Sequence, residues 1–243
     1  MNTEHRTPQR SRITTAFFAV SLLFMISACS DDQPTTVQER ETYDIFQLYE
    51  MTTDVGAGST SVAASFRIGG ESGEYVTLTA EDAITFNGAP LTLTSDNQAQ
   101  YRRNLSVALS EGLFRYTDNN GAVRTTSVRA SDVREIRMNL ADTIDASVDN
   151  TITWQGGASN ADESIRTVVT YSVGSMNSTS VSDIQSAGLS SVSIPAGSIT
   201  APSGTPVSVR LIRRRILPLP VQTTSGGNVI VGYDAGEKVV IVK

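Results

Sequence analysis

The residues of this chain that could carry chemistry are mainly arginines and carboxylates. The single histidine is His5, the single cysteine is Cys29, and the two lysines are Lys238 and Lys243. A Ser-His-Asp or Cys-His arrangement needs a histidine as general base, and structural or catalytic zinc needs histidine or cysteine ligands. Since neither residue type occurs after Cys29, the rest of the chain is left with carboxylate, tyrosine and arginine chemistry and oxygen-ligated metals.

The one basic cluster in the sequence consists of Arg210, Arg213, Arg214 and Arg215. Guanidinium groups bind carboxylates and phosphates through paired hydrogen bonds, so Arg213, Arg214 and Arg215 form a candidate site for a carboxylate, a phosphate or a sugar acid. In a strand, Arg213 and Arg215 would share one face and Arg214 would take the other. The alternative is a strand that ends or reaches a sheet edge near Ile212, where charge protects the edge from aggregation.

A group of aspartates, Asp142, Asp145 and Asp149, is a candidate calcium site. Calcium takes six to eight oxygen ligands, and carboxylates near a domain junction can supply several of them. The spacing matches no calcium-binding loop, so the alternative is a solvated linker.

Two pairs of adjacent acids, Glu81-Asp82 and Asp162-Glu163, can be considered as the two catalytic carboxylates of a glycosidase. The two carboxyl groups of a glycosidase stand roughly 5–10 Å apart across a cleft, which neighbours in a polar turn do not. The sequence therefore predicts that both pairs lie in solvated loops, and a carboxylate-based glycoside hydrolase is the least favoured reading of function.

The N-terminal segment has the organisation of an export signal. Arg6, Arg10 and Arg12 precede an apolar run from Ala16 to Ile26, which is too short for a bilayer-spanning helix of about 20 residues. The four residues Ile26, Ser27, Ala28 and Cys29 then resemble the lipobox of bacterial lipoproteins, in which an aliphatic residue and two small residues precede an invariant cysteine. The alternative is an ordinary signal peptide that contains a cysteine.

The resemblance implies cleavage before Cys29 and acylation of Cys29, with palmitate among the acyl chains, on its thiol and its new amino group. Several acyl chains together anchor a protein firmly, whereas one chain is marginal. In such lipoproteins the residue after the cysteine influences sorting, and Ser30 stands there instead of the aspartate associated with inner-membrane retention. We therefore expect a lipid-anchored protein of the cell envelope, with the outer membrane favoured.

Removal of positions 1–28 leaves an acidic chain from Cys29 to Lys243. The removed segment carries three of the 19 basic and one of the 25 acidic side chains, so 16 basic and 24 acidic side chains remain, a net charge near −8. Such a charge disfavours nucleic acid and anionic lipid surfaces as partners. Acylation of Cys29 leaves no cysteine for a disulfide, so burial must stabilise the fold.

Period-two alternation of apolar and polar residues predicts an all-β fold. Runs such as Val62, Ala64, Phe66 and Ile68 alternate with polar or small residues and are separated by Gly, Asn and Asp turn signals. We divide the chain into a signal peptide (1–28), a lipidated cysteine with a flexible tether (29–42), and two antiparallel β-sandwich domains (43–141 and 142–243) of immunoglobulin-like style.

Three local features complete the prediction. Residues 182–188 read as a helical turn capped by Ser182 and ended by Gly188. The turn signal Asp234-Ala235-Gly236 separates two late strands. Trp154, which shares its face with Ile152, is expected in the core.

These observations predict a non-enzymatic protein without cofactors. Its role would be binding or structural, through sandwich surfaces that meet an envelope protein or a glycan. The alternative is an accessory subunit of an export, assembly or surface-polymer complex.

Overall fold

The structure is a computed structural model that describes residues 45–94, 99–220 and 225–243, together with the backbone of 35–36. Apart from one 3-10 turn, Ala130–Asp132, the elements in these ranges are strands, so the predicted all-β class is confirmed. The strands are β1 (Thr35–Thr36), β2 (Ile45–Asp54), β3 (Ser59–Ile68), β4 (Glu74–Thr77), β5 (Ala83–Phe86), β6 (Ala89–Pro90), β7 (Thr92–Leu93), β8 (Tyr101–Leu105), β9 (Glu111–Thr117), β10 (Val123–Arg129), β11 (Arg137–Asn139), β12 (Thr143–Ile144), β13 (Asn150–Gln155), β14 (Glu163–Val173), β15 (Met176–Gln185), β16 (Ser191–Ile194), β17 (Pro206–Pro218) and β18 (Gly227–Val242).

Alternation of side chains along the strands builds the core. Val62, Ala64, Phe66 and Ile68 of β3 are buried, as the period-two pattern predicts. In β17, Val207, Val209 and Leu211 are fully buried in the same way. Ala63 and Ser65, on the other face of β3, are buried too, because these small side chains stand beside larger ones on neighbouring strands, such as Glu50 and Arg102 on either side of Ala63.

One large mixed sheet is the central element of the fold. Its strand order is β1-β4-β3-β2-β18-β17-β14-β15, with β8 paired to β3, β7 to β8 and β12 to β18. Most neighbours are antiparallel, but β2 and β18 run parallel over eight residue pairs, from Gln47 opposite Gly227 to Asp54 opposite Asp234. We call this assembly the main sheet.

Two small sheets supply the other half of the core. In the four-stranded sheet β10-β9-β5-β6, Phe114 stacks on Tyr49 of the main sheet with ring centroids 4.8 Å apart, and Tyr116 lies 4.9 Å from Phe66. The three-stranded sheet β11-β13-β16 contributes Ile152, Trp154, Val192 and Ile194 to the same hydrophobic cluster.

The main sheet runs across the domain boundary predicted at residue 142. Its central parallel pair joins β2 from the first predicted domain to β18 from the second, and the described residues from 45 to 243 belong to one compact unit. A shared sheet couples the two halves through backbone hydrogen bonds as well as side-chain packing. The division into 43–141 and 142–243 stays a prediction, and this pairing favours one cooperative unit.

Two local predictions were wrong. Residues 182–185 continue β15 as a strand, because they pair in register with β14 up to Gln185 opposite Ser164. The turn predicted at Asp234-Ala235-Gly236 is an irregularity within the single strand β18, where the register against β17 shifts between Arg210 and Ile212. Gly236, at φ +86°, supplies the positive φ that such a bulge can use.

Candidate functional site

The arginine cluster lies in a central strand. β17 is paired with β14 on one side and β18 on the other, so the predicted sheet edge near Ile212 was wrong. The strand continues to Pro218 because internal partners bind its charged side chains. As predicted, Arg213 and Arg215 point to one face of the sheet, and Arg214 points to the other with Arg210.

Arg213 is fully buried under the main sheet, at 0% exposure. Its guanidinium donates hydrogen bonds to the carbonyl oxygens of Gly156 (3.1 Å) and Gly157 (2.5 Å), and its Nε lies 4.0 Å from a carboxylate oxygen of Glu163. Gly156 has φ +115°, and a Cβ there would come within 2.1 Å of the Glu135 carbonyl oxygen, so the acceptor loop requires glycine. Arg213 was therefore wrongly assigned to an anion site, because no solvent-borne anion can reach its guanidinium.

Glu163 is the buried counter-charge of Arg213. It also accepts hydrogen bonds from Arg134 (3.0 Å) and from the Asn160 amide (2.8 Å). Burial raises the pKa of the Glu163 carboxyl, but these two hydrogen bonds and the charge of Arg213 leave that pKa below its ordinary value. The expected solvated loop at Asp162-Glu163 was thus wrong for Glu163, which is 1% exposed.

Arg215 and Arg214 both bind carboxylates of the chain itself. Arg215 donates to Asp162 (2.7 Å) and to the Asp132 carbonyl oxygen (2.9 Å). Arg214 lies on the opposite face, where it contacts Asp183 (2.6 Å) and Glu50 (3.5 Å). The anion-binding role of these two arginines stays a prediction, and an external anion would have to compete with these carboxylates.

A line of alternating charges crosses the face of the main sheet that carries Arg214. Glu50 of β2, Arg214 of β17, Asp183 of β15 and Arg166 of β14 form successive ion pairs, with Arg166 and Asp183 2.9 Å apart. Burial raises the pKa of Asp183, but a hydrogen bond from Ser164 and the charges of Arg214 and Arg166 leave it below its ordinary value. Asp183 is therefore ionised at neutral pH, and the line is a stable array of charge.

A second cluster on this face joins Asp54, Asp234 and Arg210. Asp54 and Asp234 are opposite each other in the parallel pair of β2 and β18, and Arg210 contacts both carboxylates. Burial raises the pKa of Asp234, and the Asp54 carboxylate raises it further. The charge of Arg210 lowers this pKa, but the pKa stays above its ordinary value. Both carboxylates also cap local backbone, since Asp54 accepts from the Ala57 amide (2.8 Å) and Asp234 from the Gly236 amide (2.9 Å).

These groups border an open concavity on the main sheet. Its volume is about 350 Å³, and its lining includes Glu50, Ser61, Arg102, Asn104, Arg166 and Arg210. The side chains come from β2, β3, β8, β14 and β17, whose registers place them on one side of the sheet. We call this side the polar sheet face, defined by these six residues with Arg214, Asp183 and Asp234.

The predicted calcium ligands do not come together. Asp142 pairs with Lys238 (2.8 Å), Asp145 accepts from the amide (2.9 Å) and hydroxyl (2.6 Å) of Ser147, and Asp149 accepts from the Ala196 amide (2.8 Å). Within residues 45–94, 99–220 and 225–243, no three His, Cys, Asp or Glu side chains are grouped so as to hold a metal ion. The prediction of one site from these three aspartates is therefore corrected to three separate local contacts.

Two further sequence predictions can be compared with the structure. Trp154 is buried, as predicted, and its indole N–H donates to the Gly157 carbonyl oxygen at 3.0 Å. Asp82 was expected in a solvated loop, but it is 9% exposed and binds the Thr79 amide (2.9 Å) and the Tyr116 hydroxyl (3.1 Å). Burial and the Asp82 carboxylate together raise the pKa of Tyr116.

The lipobox residues Ile26, Ser27, Ala28 and Cys29 lie outside the described residues. Over the part of the chain that the structure describes, no helix has the length and apolar character needed to cross a bilayer.

Sequence reasoning missed most of the polar sheet face. It identified Arg210 and Arg214 from their clustering, but not Glu50, Arg102, Asn104, Arg166 or Asp234. The polar positions of the period-two pattern could have indicated this face, since Glu50 and Thr52 alternate with the buried residues Tyr49 and Met51. The strand order that brings these polar residues together depends on partners far apart in sequence.

Comparison with known proteins assigns the chain to no family. No protein-family model matches the sequence, and no curated protein matches it. The chain is similar to a crystal structure of the FN1-FN3 domains of chicken CNTN1, with 11% sequence identity and a TM-score of 0.26. The match covers 75% of this chain and 61% of that chain.

Proposed function

We propose that this protein is a lipid-anchored component of the cell envelope that acts by binding, without catalysis, and that the polar sheet face contacts its partner. The lipobox-like residues Ile26 to Cys29 support the anchor. The absence of histidine and cysteine after Cys29 supports a role without nucleophilic or zinc chemistry.

The observation that carries the binding role is the open concavity with its mixed charges. Small-molecule sites are mostly enclosed and lined by apolar and aromatic side chains. This concavity is open, and its lining combines arginine, carboxylate, hydroxyl and amide groups around the single large aliphatic side chain Ile212. Such a surface suits a protein partner with complementary charges, because charge complementarity sets specificity and association rate.

A protein partner is favoured over a glycan. Sugar sites usually stack a sugar ring on an exposed aromatic side chain, and the described lining of the concavity contains none. Trp154 is unavailable for stacking because it is buried beneath the other side of the main sheet. An accessory subunit of an envelope complex fits the same surface, since such a subunit also acts by contact.

The anchor is tested by replacing Cys29 with serine. We expect the wild-type protein in the membrane fraction with acyl groups detectable by mass spectrometry. Cys29→Ser removes the acylated thiol and should release the protein into the soluble fraction of the envelope, apart from uncleaved precursor. A wild-type chain that keeps the segment from Met1 to Ala28 and carries no lipid would contradict the proposal.

The binding face is tested by site-specific photo-crosslinking in intact cells. A photoreactive residue at Asn104, which lines the concavity, should give one discrete crosslinked protein, while the same residue at Arg115, exposed on β9, should not. Arg102→Glu reverses a charge on the face and should lower the crosslinking yield at least about tenfold, because like charges at an interface cost several kcal/mol and about 1.4 kcal/mol is already tenfold. Arg115→Glu is the matched control. Equal yields from both positions, or no effect of Arg102→Glu, would contradict the assignment.

A further inference from the structure

One terminal strand of the main sheet, β15, has an open edge. In the strand order of the described residues, β15 is terminal and is paired with β14 alone. Ten consecutive pairs join the two strands, from Ser164 opposite Gln185 to Val173 opposite Met176, without a register shift. The far edge of β15 therefore presents a straight row of backbone N–H and C=O groups, which is a template for another strand.

β15 lacks the features that normally protect an edge strand. Its sequence, Met-Asn-Ser-Thr-Ser-Val-Ser-Asp-Ile-Gln, contains no proline, lysine or glycine, and no bulge interrupts it. Asp183 is its one charged residue. Arg166 and Arg214 bind its carboxylate, so this charge is already neutralised within the chain.

Large apolar side chains of β15 face solvent. Met176 is 72% exposed, Val181 is 57% exposed and Ile184 is 38% exposed. Pairing with another strand would cover part of each of these side chains, because directly opposite residues bring their Cβ atoms within about 5 Å.

β15 is self-complementary in one antiparallel register. A two-fold axis perpendicular to the sheet at Ser180 places Met176 of each copy opposite Ile184 of the other. The same register sets Asp183 opposite Asn177, Thr179 opposite Val181, and Ser178 opposite Ser182. Apolar residues thus meet apolar or β-branched residues, the carboxylate meets an amide, and no like charges are opposed.

We propose that two copies of this protein associate through their β15 strands, antiparallel and centred on Ser180. The interface is isologous, as in most symmetric dimers. It makes one continuous sheet of the two main sheets and puts both polar sheet faces on the same side. The proposal stands independently of the partner proposed above, because it uses the edge of the sheet and not the face.

The geometry is tested by cysteine crosslinking in the full chain carrying Cys29→Ser, so that each introduced thiol is the only one present. Ser180→Cys lies on the proposed axis and should give a disulfide-linked dimer under mild oxidation. Val181→Cys is opposite Thr179 of the second copy and should crosslink much more slowly. Leu113→Cys, on the exposed face of β9, is the distant control. Faster crosslinking of Val181→Cys, or equal crosslinking of Leu113→Cys, would overturn the proposal.

The association itself is tested by sedimentation equilibrium of the Cys29→Ser chain. Ser180→Lys would place two ammonium groups opposite each other at the axis, and we expect it to weaken dimerisation about fivefold or more. Position 180 is exposed, so circular dichroism should remain that of the folded chain. A monomer at all concentrations would refute the proposal, and this is also the result expected if β15 binds a strand of a different protein. A dimer that Ser180→Lys leaves unchanged would refute it as well.

Discussion

Replacement of Arg213 by alanine should lower the free energy of unfolding by about 3–5 kcal/mol, because it leaves Glu163 as a buried charge with one fewer partner. It also removes the donor to the Gly156 carbonyl oxygen and leaves the Gly157 carbonyl oxygen with the Trp154 indole N–H alone. Domains are typically stable by about 5–15 kcal/mol, so this single change would remove a large part of the total. Urea denaturation followed by circular dichroism measures the loss.

Arg215→Ala is the matched control on the same face of the same strand. The side chains of Arg215 and its partner Asp162 are 36% and 44% exposed, so we expect a loss below about 1 kcal/mol. Glu163→Gln keeps an acceptor for the Asn160 amide while removing the charge. Combined with Arg213→Met, it should cost less than the sum of the two single changes, since the uncompensated charge is gone. If Arg213→Ala and Arg215→Ala had equal effects, the buried pair would not be the stabilising interaction proposed here.

Replacement of Phe66 by alanine should destabilise the whole unit, including the half that does not contain Phe66. The ring is fully buried against Tyr49, Tyr101 and Tyr116, and removal of such a ring costs about 3–5 kcal/mol. Trp154 is the sole tryptophan and lies beyond the predicted boundary at residue 142, so its fluorescence reports unfolding of the second half. If β2 and β18 couple the halves, Phe66→Ala should move the transition that Trp154 reports by the full amount.

Two variants calibrate this experiment. Ile165→Ala, in the same half as Trp154, should move the fluorescence transition whether or not the halves are coupled, because Ile165 is fully buried there. Val123→Ala, at a position 46% exposed in the first half, should have little effect. If Ile165→Ala shifts the unfolding transition that Trp154 fluorescence reports and Phe66→Ala leaves it unchanged, the two halves are independent domains that meet at the predicted boundary.

The sequence predicted the strands of this protein better than their partners. The alternation in Val62–Ile68 and Val207–Leu211 is local, since one strand needs only its own pattern to define a buried face. Pairing is not local, and three errors share this cause. Ser182 and Gly188 resemble the first and last residues of a capped helix, yet residues 176–185 form a strand that pairs with β14. A bulge replaces the turn at Asp234-Ala235-Gly236, and internal carboxylates let β17 occupy the sheet interior.

The residues of the candidate site were also hard to predict, because they come together only through pairing of strands that are far apart in sequence. Arg210 and Arg214 were found because they are clustered in sequence. Glu50 and Arg102 were missed because they join the site only when β2, β18 and β17 are neighbours and β8 pairs with β3. Buried Arg213 was misassigned because its partner Glu163 and the carbonyl groups of Gly156 and Gly157 lie far from it in sequence.

The parallel pairing of β2 with β18 also determines when the fold can close. β2 is formed by residues near the start of the compact unit, and its neighbour β18 comes last in chain order among the described strands. Contacts between such distant segments slow folding, because a long loop must be closed before they form. Until β18 arrives, β2 and β17 each lack one neighbour and expose unpaired edges, so the chain is most prone to self-association in the interval before β18 is synthesised.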